Sequence, residues 1–107
     1  MGITKSQIFN DQQNELAAIF RVLANPARIA ILEFIGDQQA CICNDIVDQI
    51  GLAQPTISQH LKELKGLDLI SGEVAGKKLC YCLNLDRWNE IQDLLNTFFN
   101  QTKANCC

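Results

Sequence analysis

Residues 53–70 constrain the fold of this chain more than any other stretch, because they combine the signals of a helix with those of a strand. Pro55 suits a first helical position, where its missing N–H is not needed, and Gln54 before it is biased away from the helical region. Apolar side chains then recur on one face at Ile57, Leu61 and Leu64. Gly66 ends this pattern, and residues 67–71 alternate at the period of a strand. The stretch therefore predicts a helix followed at once by a strand.

The opposite face of this helix carries polar side chains that can hydrogen-bond. Upstream, Asn44 to Ile50 shows a short helical pattern, and Gly51-Leu52-Ala53 supplies a turn with glycine. Two helices joined in this way predict a helix-turn-helix over about residues 44–65, in which the second helix enters the major groove of DNA. The side chains expected to contact DNA are Gln54, Thr56, Ser58, Gln59, His60 and Lys62. The alternative is an ordinary amphipathic helix with a solvated polar face. The neighbouring segments favour the DNA-binding interpretation.

A second strand pattern runs from Leu79 to Leu83 and follows a short basic connection, Ala75-Gly76-Lys77-Lys78. The two strands predict a β wing over about residues 67–84, with Lys77 and Lys78 at its tip. Lysines at that position would reach phosphate beside the groove, which gives affinity rather than sequence choice.

The remaining segments have helical patterns, so the chain is predicted to be a single, mainly α domain with a small two-stranded β wing. The first helix carries an apolar stripe at Leu16, Ile19, Phe20 and Leu23. Asn25 suits an N-cap and Pro26 a first turn, so a second helix should follow and extend to Gly36. Its inward-facing residues are predicted to be Ile29, Leu32 and Ile35.

The last helix, over about residues 86–101, has an apolar stripe that is broad for a domain of 107 residues. The stripe consists of Trp88, Ile91, Leu94, Leu95, Phe98 and Phe99. It either serves the core alone or packs against a second copy of the chain, as amphipathic helices of dimers do. A small domain gains stability by dimerising, so we expect a homodimer formed through this helix, with residues 102–107 as a flexible tail.

The formal net charge of −3 argues weakly against a nucleic-acid partner, since most DNA-binding domains are basic. The charges are segregated, however, because residues 54–65 carry two lysines against one glutamate and the wing tip adds two more lysines. A basic edge on an acidic body predicts DNA binding with strong salt dependence. No segment approaches the ~20 apolar residues of a membrane span, so we expect a cytoplasmic protein without a membrane partner.

The order of these elements resembles the arsenic-repressor (ArsR/SmtB) family of winged-helix regulators, from about residue 12 to residue 101. The most specific pieces are Leu23 to Leu32, Gln54 to Leu64, and Cys41-Ile42-Cys43 just before the third helix. The resemblance implies a homodimeric repressor, not an enzyme, that releases double-stranded operator DNA when a metal, metalloid or oxidant binds.

Six cysteines fall into three pairs, and Cys41 and Cys43 lie where the chain enters the third helix. In the family that the chain resembles, a Cys-x-Cys at this place is the inducer site. Two residues apart on an ideal helix, side chains point roughly 200° away from each other, so joint coordination needs an extended or unwound turn. Thiolate is a soft donor that suits As(III), Sb(III) or Cu(I). The alternative is a pair of small buried hydrophobic side chains.

A three-sulfur site needs one more donor than this pair. Family members with Cys-x-Cys-x-x-Cys supply it from the same segment, but the third position in this chain is Ile46. Cys106 and Cys107 end the chain on the predicted tail and are a plausible source. The alternative is a disordered terminus whose adjacent thiols merely oxidise.

Cys80 and Cys82 flank Tyr81 in the second wing strand and, at period 2, share a face. They either bind a soft metal or, as we favour, fill a small hydrophobic layer beneath the wing. The family's other metal site, built from Asp and His on the last helix, has no counterpart here, because the chain's one histidine is His60. Zinc or nickel sensing at that site is not expected.

The sequence thus predicts a metalloid-responsive repressor, with As(III) or Sb(III) as inducer and no enzymatic cofactor. The main alternative is a repressor of the same fold that senses thiol oxidation or persulfide. A small thiol-dependent reductase is disfavoured, because such enzymes carry Cys-x-x-Cys or an anion-binding loop and this chain has neither.

Overall fold

The computed structural model describes residues 8–37, 42–43, 46–75 and 78–102. In this part of the chain, five helices surround a small three-stranded sheet. The elements are α1 (Asp11–Leu23), α2 (Pro26–Asp37), β1 (Ile42–Cys43), α3 (Ile46–Ile50), α4 (Gln54–Gly66), β2 (Ile70–Ala75), β3 (Lys78–Leu83) and α5 (Leu85–Thr102). The predicted class, mainly α with a β wing, is confirmed. No described helix is both long and apolar enough to span a bilayer.

Local capping explains where the first two helices begin. Asn10 accepts a 2.7 Å hydrogen bond from the backbone N–H of Gln13, whose side chain in turn accepts from the Asn10 backbone at 3.0 Å, forming a capping box. Asn25 caps α2 as predicted, since its Oδ1 accepts from the backbone N–H of Ala27 at 2.9 Å.

The core lies between α1, α2, α3, α4 and the start of β2, with Ile91 of α5 buried in it and further side chains of α5 packed against it. Its most buried side chains are Ile19, Ile31, Ile57, Leu61, Leu64, Leu69 and Ile70. The prediction that Ile29 faces inward is wrong, because Ile29 is 46% exposed and Ile31 is fully buried instead. Apolar residues occur around most of α2, so helical periodicity alone did not determine which side packs inward.

A Schellman motif ends α4 and delays the first wing strand. The backbone N–H of Leu69 donates to the Leu64 carbonyl at 3.2 Å, and that of Asp68 to the Lys65 carbonyl at 2.9 Å. Asp68 takes the left-handed conformation, with φ of 60°, that glycine usually occupies in this motif. The predicted strand start at residue 67 is therefore wrong, and β2 begins at Ile70.

The three described strands form an antiparallel sheet in the order β1-β3-β2. The β2–β3 hairpin is the predicted wing, with Ile70 opposite Leu83 and Ala75 opposite Lys78. The sequence did not predict β1, which adds Ile42 and Cys43 to the free edge of β3. Cys43 therefore lies on extended backbone rather than in the first turn of a helix, and α3 is described from Ile46 onward.

The start of α5 is fastened to the turn that follows α4. Trp88 Nε1 donates to the Leu69 carbonyl at 3.1 Å, and Arg87 Nε donates to the Leu67 carbonyl at 3.0 Å. Arg87 also forms an ion pair with Glu15 of α1 at 3.3 Å. These contacts connect the last helix both to the end of α4 and to the first helix.

Candidate nucleic-acid interface and cysteine sites

The face of α4 opposite the core presents the polar side chains that the sequence singled out. Ile57, Leu61 and Leu64 are at most 2% exposed and hold the helix against the domain. Of the predicted DNA contacts on this helix, the exposed ones are Gln54, Thr56, Ser58, Gln59 and Lys62. Five of the six predicted contacts on this helix are therefore brought together on its outer side.

The turn before α4 depends on one glycine. Gly51 has a φ of 82°, in the left-handed region that favours glycine, and its N–H donates to the Val47 carbonyl at 2.9 Å. The chain then enters α4 with Pro55 in the first turn, where no N–H is needed. Helix, glycine turn and second helix thus form the predicted helix-turn-helix.

His60 differs from the other predicted contacts because it is only partly exposed and has a partner within the domain. Arg28 Nε of α2 donates to His60 Nδ1 at 3.1 Å. A guanidinium can only donate, so Nδ1 provides a lone pair and the ring N–H is on Nε2. The same guanidinium donates to the Val22 carbonyl at 3.1 Å. Arg28, which sequence reasoning missed, therefore orients the His60 ring.

Lys65 links the end of α4 to the wing. Sequence reasoning did not identify this residue. Its Nζ donates to the Gly72 carbonyl of β2 at 2.8 Å. This exposed, charge-assisted bond connects the recognition helix directly to the wing. Lys77 and the side chain of Lys78 lie outside the described residues, so their predicted phosphate contacts remain predictions.

On β3, the cysteines and the core-facing residues alternate. Tyr81 and Leu83 pack against the core cluster, so strand alternation places Cys80 and Cys82 on the other face. We favoured a prediction in which Cys80 and Cys82 fill a hydrophobic layer beneath the wing. Their position on the face of β3 away from the core does not support it. Both cysteines are half-buried and disulfide-bonded.

The other predicted sulfur donors are only partly covered by the structure. Cys41, Cys106 and Cys107 lie outside the described residues, and for Cys43 the backbone alone is described. Its register partner across the ladder is Cys80. Among the side chains that are described, no three from His, Cys, Asp and Glu are grouped closely enough to hold a metal ion.

An aromatic surface lies on the outer side of α1 and α5. Phe20 and Phe98 meet edge to face with ring centroids 6.3 Å apart, and Phe98 and Phe99 do so at 5.3 Å. Phe20 is 40% exposed and Phe99 is 56% exposed. The predicted stripe on α5 thus serves the core only in part: among the described residues Ile91 is its one buried member, Trp88, Leu94 and Leu95 are partly buried against the core, and Phe99 is exposed.

Residues 25–71, which span α2 to the start of β2, match the family model for bacterial regulatory proteins of the arsR family. The chain is 36% identical over 86 residues to an arsenical resistance operon repressor of Staphylococcus xylosus, covering 78% of this chain and 82% of that protein.

Solved structures share the fold. An ArsR-like transcriptional regulator from a Rhodococcus species superposes with a TM-score of 0.71 at 19% identity, covering 89% of each chain. A homodimeric winged helix-turn-helix DNA-binding domain from Mycobacterium bovis superposes with a TM-score of 0.63 at 20% identity, covering 94% of this chain and 91% of that one.

Proposed function

The chain belongs to the arsR family of bacterial regulatory proteins, and from that premise we propose that it is a metalloid-responsive repressor. Family membership makes it a DNA-binding transcriptional repressor and not an enzyme. The proposal adds that the repressor binds its operator as a homodimer in the cytoplasm and releases it when As(III) or Sb(III) binds cysteine thiolates.

The observation that carries the proposal is the outer face of α4. Three buried leucine and isoleucine side chains hold this helix firmly, while amides and hydroxyls that can hydrogen-bond to base edges cover its exposed side. Gln59 and Ser58 are proposed to contact bases, and Lys62 to contact phosphate. His60, oriented by Arg28, offers its Nε2–H to the groove.

A second copy of the chain is the proposed partner of the aromatic surface formed by Phe20, Phe98 and Phe99. The relative from Mycobacterium bovis is homodimeric, which supports this proposal. A dimer would place two recognition helices about 34 Å apart, which is one turn of DNA, and would require a pseudo-palindromic operator.

Cys41 and Cys43 are the proposed inducer ligands. Joint ligation requires extended backbone, and Cys43 lies in strand β1. Residue 43 also precedes the described start of α3 at Ile46 by only three positions. A ligand bound at Cys43 would therefore act close to the first helix of the helix-turn-helix. A change in the position of that helix would alter DNA binding. The relative from Staphylococcus xylosus is named for arsenical resistance.

Thiol oxidation is the second candidate signal, and the disulfide-bonded state of Cys80 and Cys82 favours it. In that case, a cross-link between strands would replace the metalloid as the event that changes DNA affinity. The fold, the dimer and the DNA interface would be the same under both proposals.

The deciding experiment is an inducer titration on an operator selected from random duplex DNA by repeated binding. The repressor–operator complex is kept fully reduced and titrated with arsenite, and a parallel sample receives oxidised glutathione instead. Release by arsenite in the reduced sample is the expected result. Release only by oxidised glutathione would replace the metalloid proposal with the redox one.

A further inference from the structure

The register between β1 and β3 brings a wing cysteine to the segment that leads into the helix-turn-helix. Cys43 is the Cα partner of Cys80, and Ile42 is the partner of Tyr81. Residues directly opposite each other in an antiparallel ladder share a face, with Cβ atoms about 4.5–5.5 Å apart. The backbone alone therefore places two cysteine positions within reach of one ligand.

Cys80 and Cys82 are both disulfide-bonded, but an extended strand does not favour a bond between them. Residues two apart on a strand are separated by about 6.6 Å, and their side chains project in parallel. A disulfide needs Cβ atoms only about 3.5–4.5 Å apart. Cysteines on a neighbouring segment fit this requirement better, and Cys43 is the cysteine that the register places opposite Cys80.

We propose that Cys80 of the wing supplies the third thiolate of the inducer site, alongside Cys41 and Cys43. This inference rests on the proposed function and replaces the C-terminal pair, Cys106 and Cys107, as the source of that sulfur. Cys82 lies on the same face of β3 and would supply the sulfur ligand in a variant that lacks Cys80. The backbones of Cys43 and Cys80 already lie opposite each other, because β1 and β3 are paired.

The reaction balances without a redox change at arsenic. In reducing conditions Cys80 is a thiol, and arsenous acid, As(OH)₃, exchanges three As–O bonds for three As–S bonds. Each thiol proton leaves with one hydroxide as water, so three waters form. Arsenic remains trivalent, and its preference for soft sulfur over oxygen ligands drives the exchange.

Ligation of this kind would connect the two parts of the domain that meet DNA. β3 is one strand of the wing, and β1 leads into α3. A three-sulfur ligand shared between these strands would fix the wing relative to the helix-turn-helix in an arrangement set by the metalloid rather than by DNA. The inducer would thus act on both contacts at once.

The test compares how tightly the reduced wild type and its variants bind arsenite. Binding is measured from the sulfur-to-arsenic charge-transfer absorption and from the number of thiols that arsenite protects from alkylation. The wild type should protect three thiols per bound arsenic. The variant Cys80→Ser/Cys82→Ser should protect two and bind at least about tenfold more weakly. The matched control, Cys106→Ser/Cys107→Ser, should behave as the wild type does. A loss confined to the tail variant would overturn the proposal.

A second measurement does not depend on how the variants fold. Wild-type protein is oxidised with oxidised glutathione, which takes up the two electrons and two protons of each thiol pair to give two reduced glutathiones. Peptide mapping should then find a Cys43–Cys80 link. Its absence, with Cys43 linked to Cys106 or Cys107 instead, would contradict the cross-strand site.

Failure of the proposed function would look different from failure of this inference. If the wild type bound no arsenite and kept its operator, the metalloid proposal itself would be wrong. If the wild type released its operator but Cys80→Ser/Cys82→Ser did so at the same arsenite concentration, only the role of the wing would be wrong.

Discussion

Arg28 and His60 are joined by a 3.1 Å hydrogen bond from the guanidinium Nε to the imidazole Nδ1, which links α2 to the recognition helix α4. The bond is partly buried, so it is shielded from competing water. The sequence alone treated Gln59 and His60 as equivalent, but Gln59 is exposed and His60 is only partly exposed.

We predict that His60→Ala lowers both stability and operator affinity. Removing the acceptor leaves the Arg28 guanidinium partly unsatisfied, at a cost of about 1–3 kcal/mol in the free energy of unfolding. Thermal denaturation should show a melting temperature lower by several degrees, roughly 4–8 °C for each kcal/mol. His60→Gln, whose amide oxygen can accept from Arg28, should recover much of the stability. Equal stability of all three proteins would contradict a structural role for the bond.

Gln59→Ala should instead weaken binding to the selected operator with little effect on stability. Gln59 is exposed, with its amide 3.3 Å from Glu63 Oε1, so truncation should change the free energy of unfolding by no more than about 0.5 kcal/mol. Loss of a base contact costs about 1–3 kcal/mol of discrimination. Fluorescence anisotropy with operator and random duplexes measures both affinities, and Gln92→Ala on α5 is the control. Equal losses on both duplexes would remove Gln59 from base recognition.

Lys77 and Lys78 should contribute affinity without sequence choice. Replacing both with alanine should weaken binding to operator and random DNA alike, because lysine contacts at a wing tip go to phosphate. The slope of log affinity against log salt should fall by up to about two, roughly one for each phosphate that is no longer neutralised. An unchanged slope would show that neither lysine contacts a DNA phosphate.

Local signals explain which parts of the fold the sequence predicted well. The start of α4 depends on Pro55, the start of α2 on Asn25, and both signals act within a few residues. The wing followed from two runs of strand-forming residues around a basic turn. These elements were therefore predictable without knowing what packs against them.

The missed features are those that distant residues determine. β1 is two residues long and exists only through pairing with β3, far along the chain. Asp68 adopts the conformation expected of glycine, so the sequence carried no signal that the first wing strand begins only at Ile70. The Arg28–His60 bond likewise depends on how α2 packs against α4. For the same reason the sequence predicted Cys41 and Cys43 as ligands but did not show that Cys43 is the register partner of Cys80.

Gly72 is required by the close approach of the two wing strands. A Cβ at this position would collide with the Cys80 carbonyl oxygen and with the Tyr81 ring. Gly72→Ala should therefore destabilise the domain by about 1–3 kcal/mol, measured by urea denaturation. Gly66→Ala is the matched control, because a Cβ there meets no described atom within 4 Å and alanine favours a helix. A Gly72→Ala protein as stable as Gly66→Ala would show that the wing is placed differently.

Phe99→Glu should convert the proposed dimer to a monomer. Phe99 is 56% exposed in one chain, so a monomer would tolerate the change, whereas a dimer interface would bury an unpaired charge. Sedimentation equilibrium at micromolar concentration measures the oligomeric state, and operator affinity should fall with dimerisation. Asn100→Glu, also exposed on α5, is the control for charge. A wild type that sediments as a monomer would contradict the dimer.

In the proposed mechanism, the thiolates of Cys41 and Cys43 convert arsenite binding into operator release. Serine removes the soft donor but keeps approximate size and polarity, so Cys41→Ser/Cys43→Ser should fold and bind the operator as the wild type does. The direct measurement is operator release, followed by anisotropy, as arsenite is added to both proteins under reducing conditions. We predict that the wild type releases the operator and the double variant retains it. Release by the double variant at the same arsenite concentration would contradict the claim.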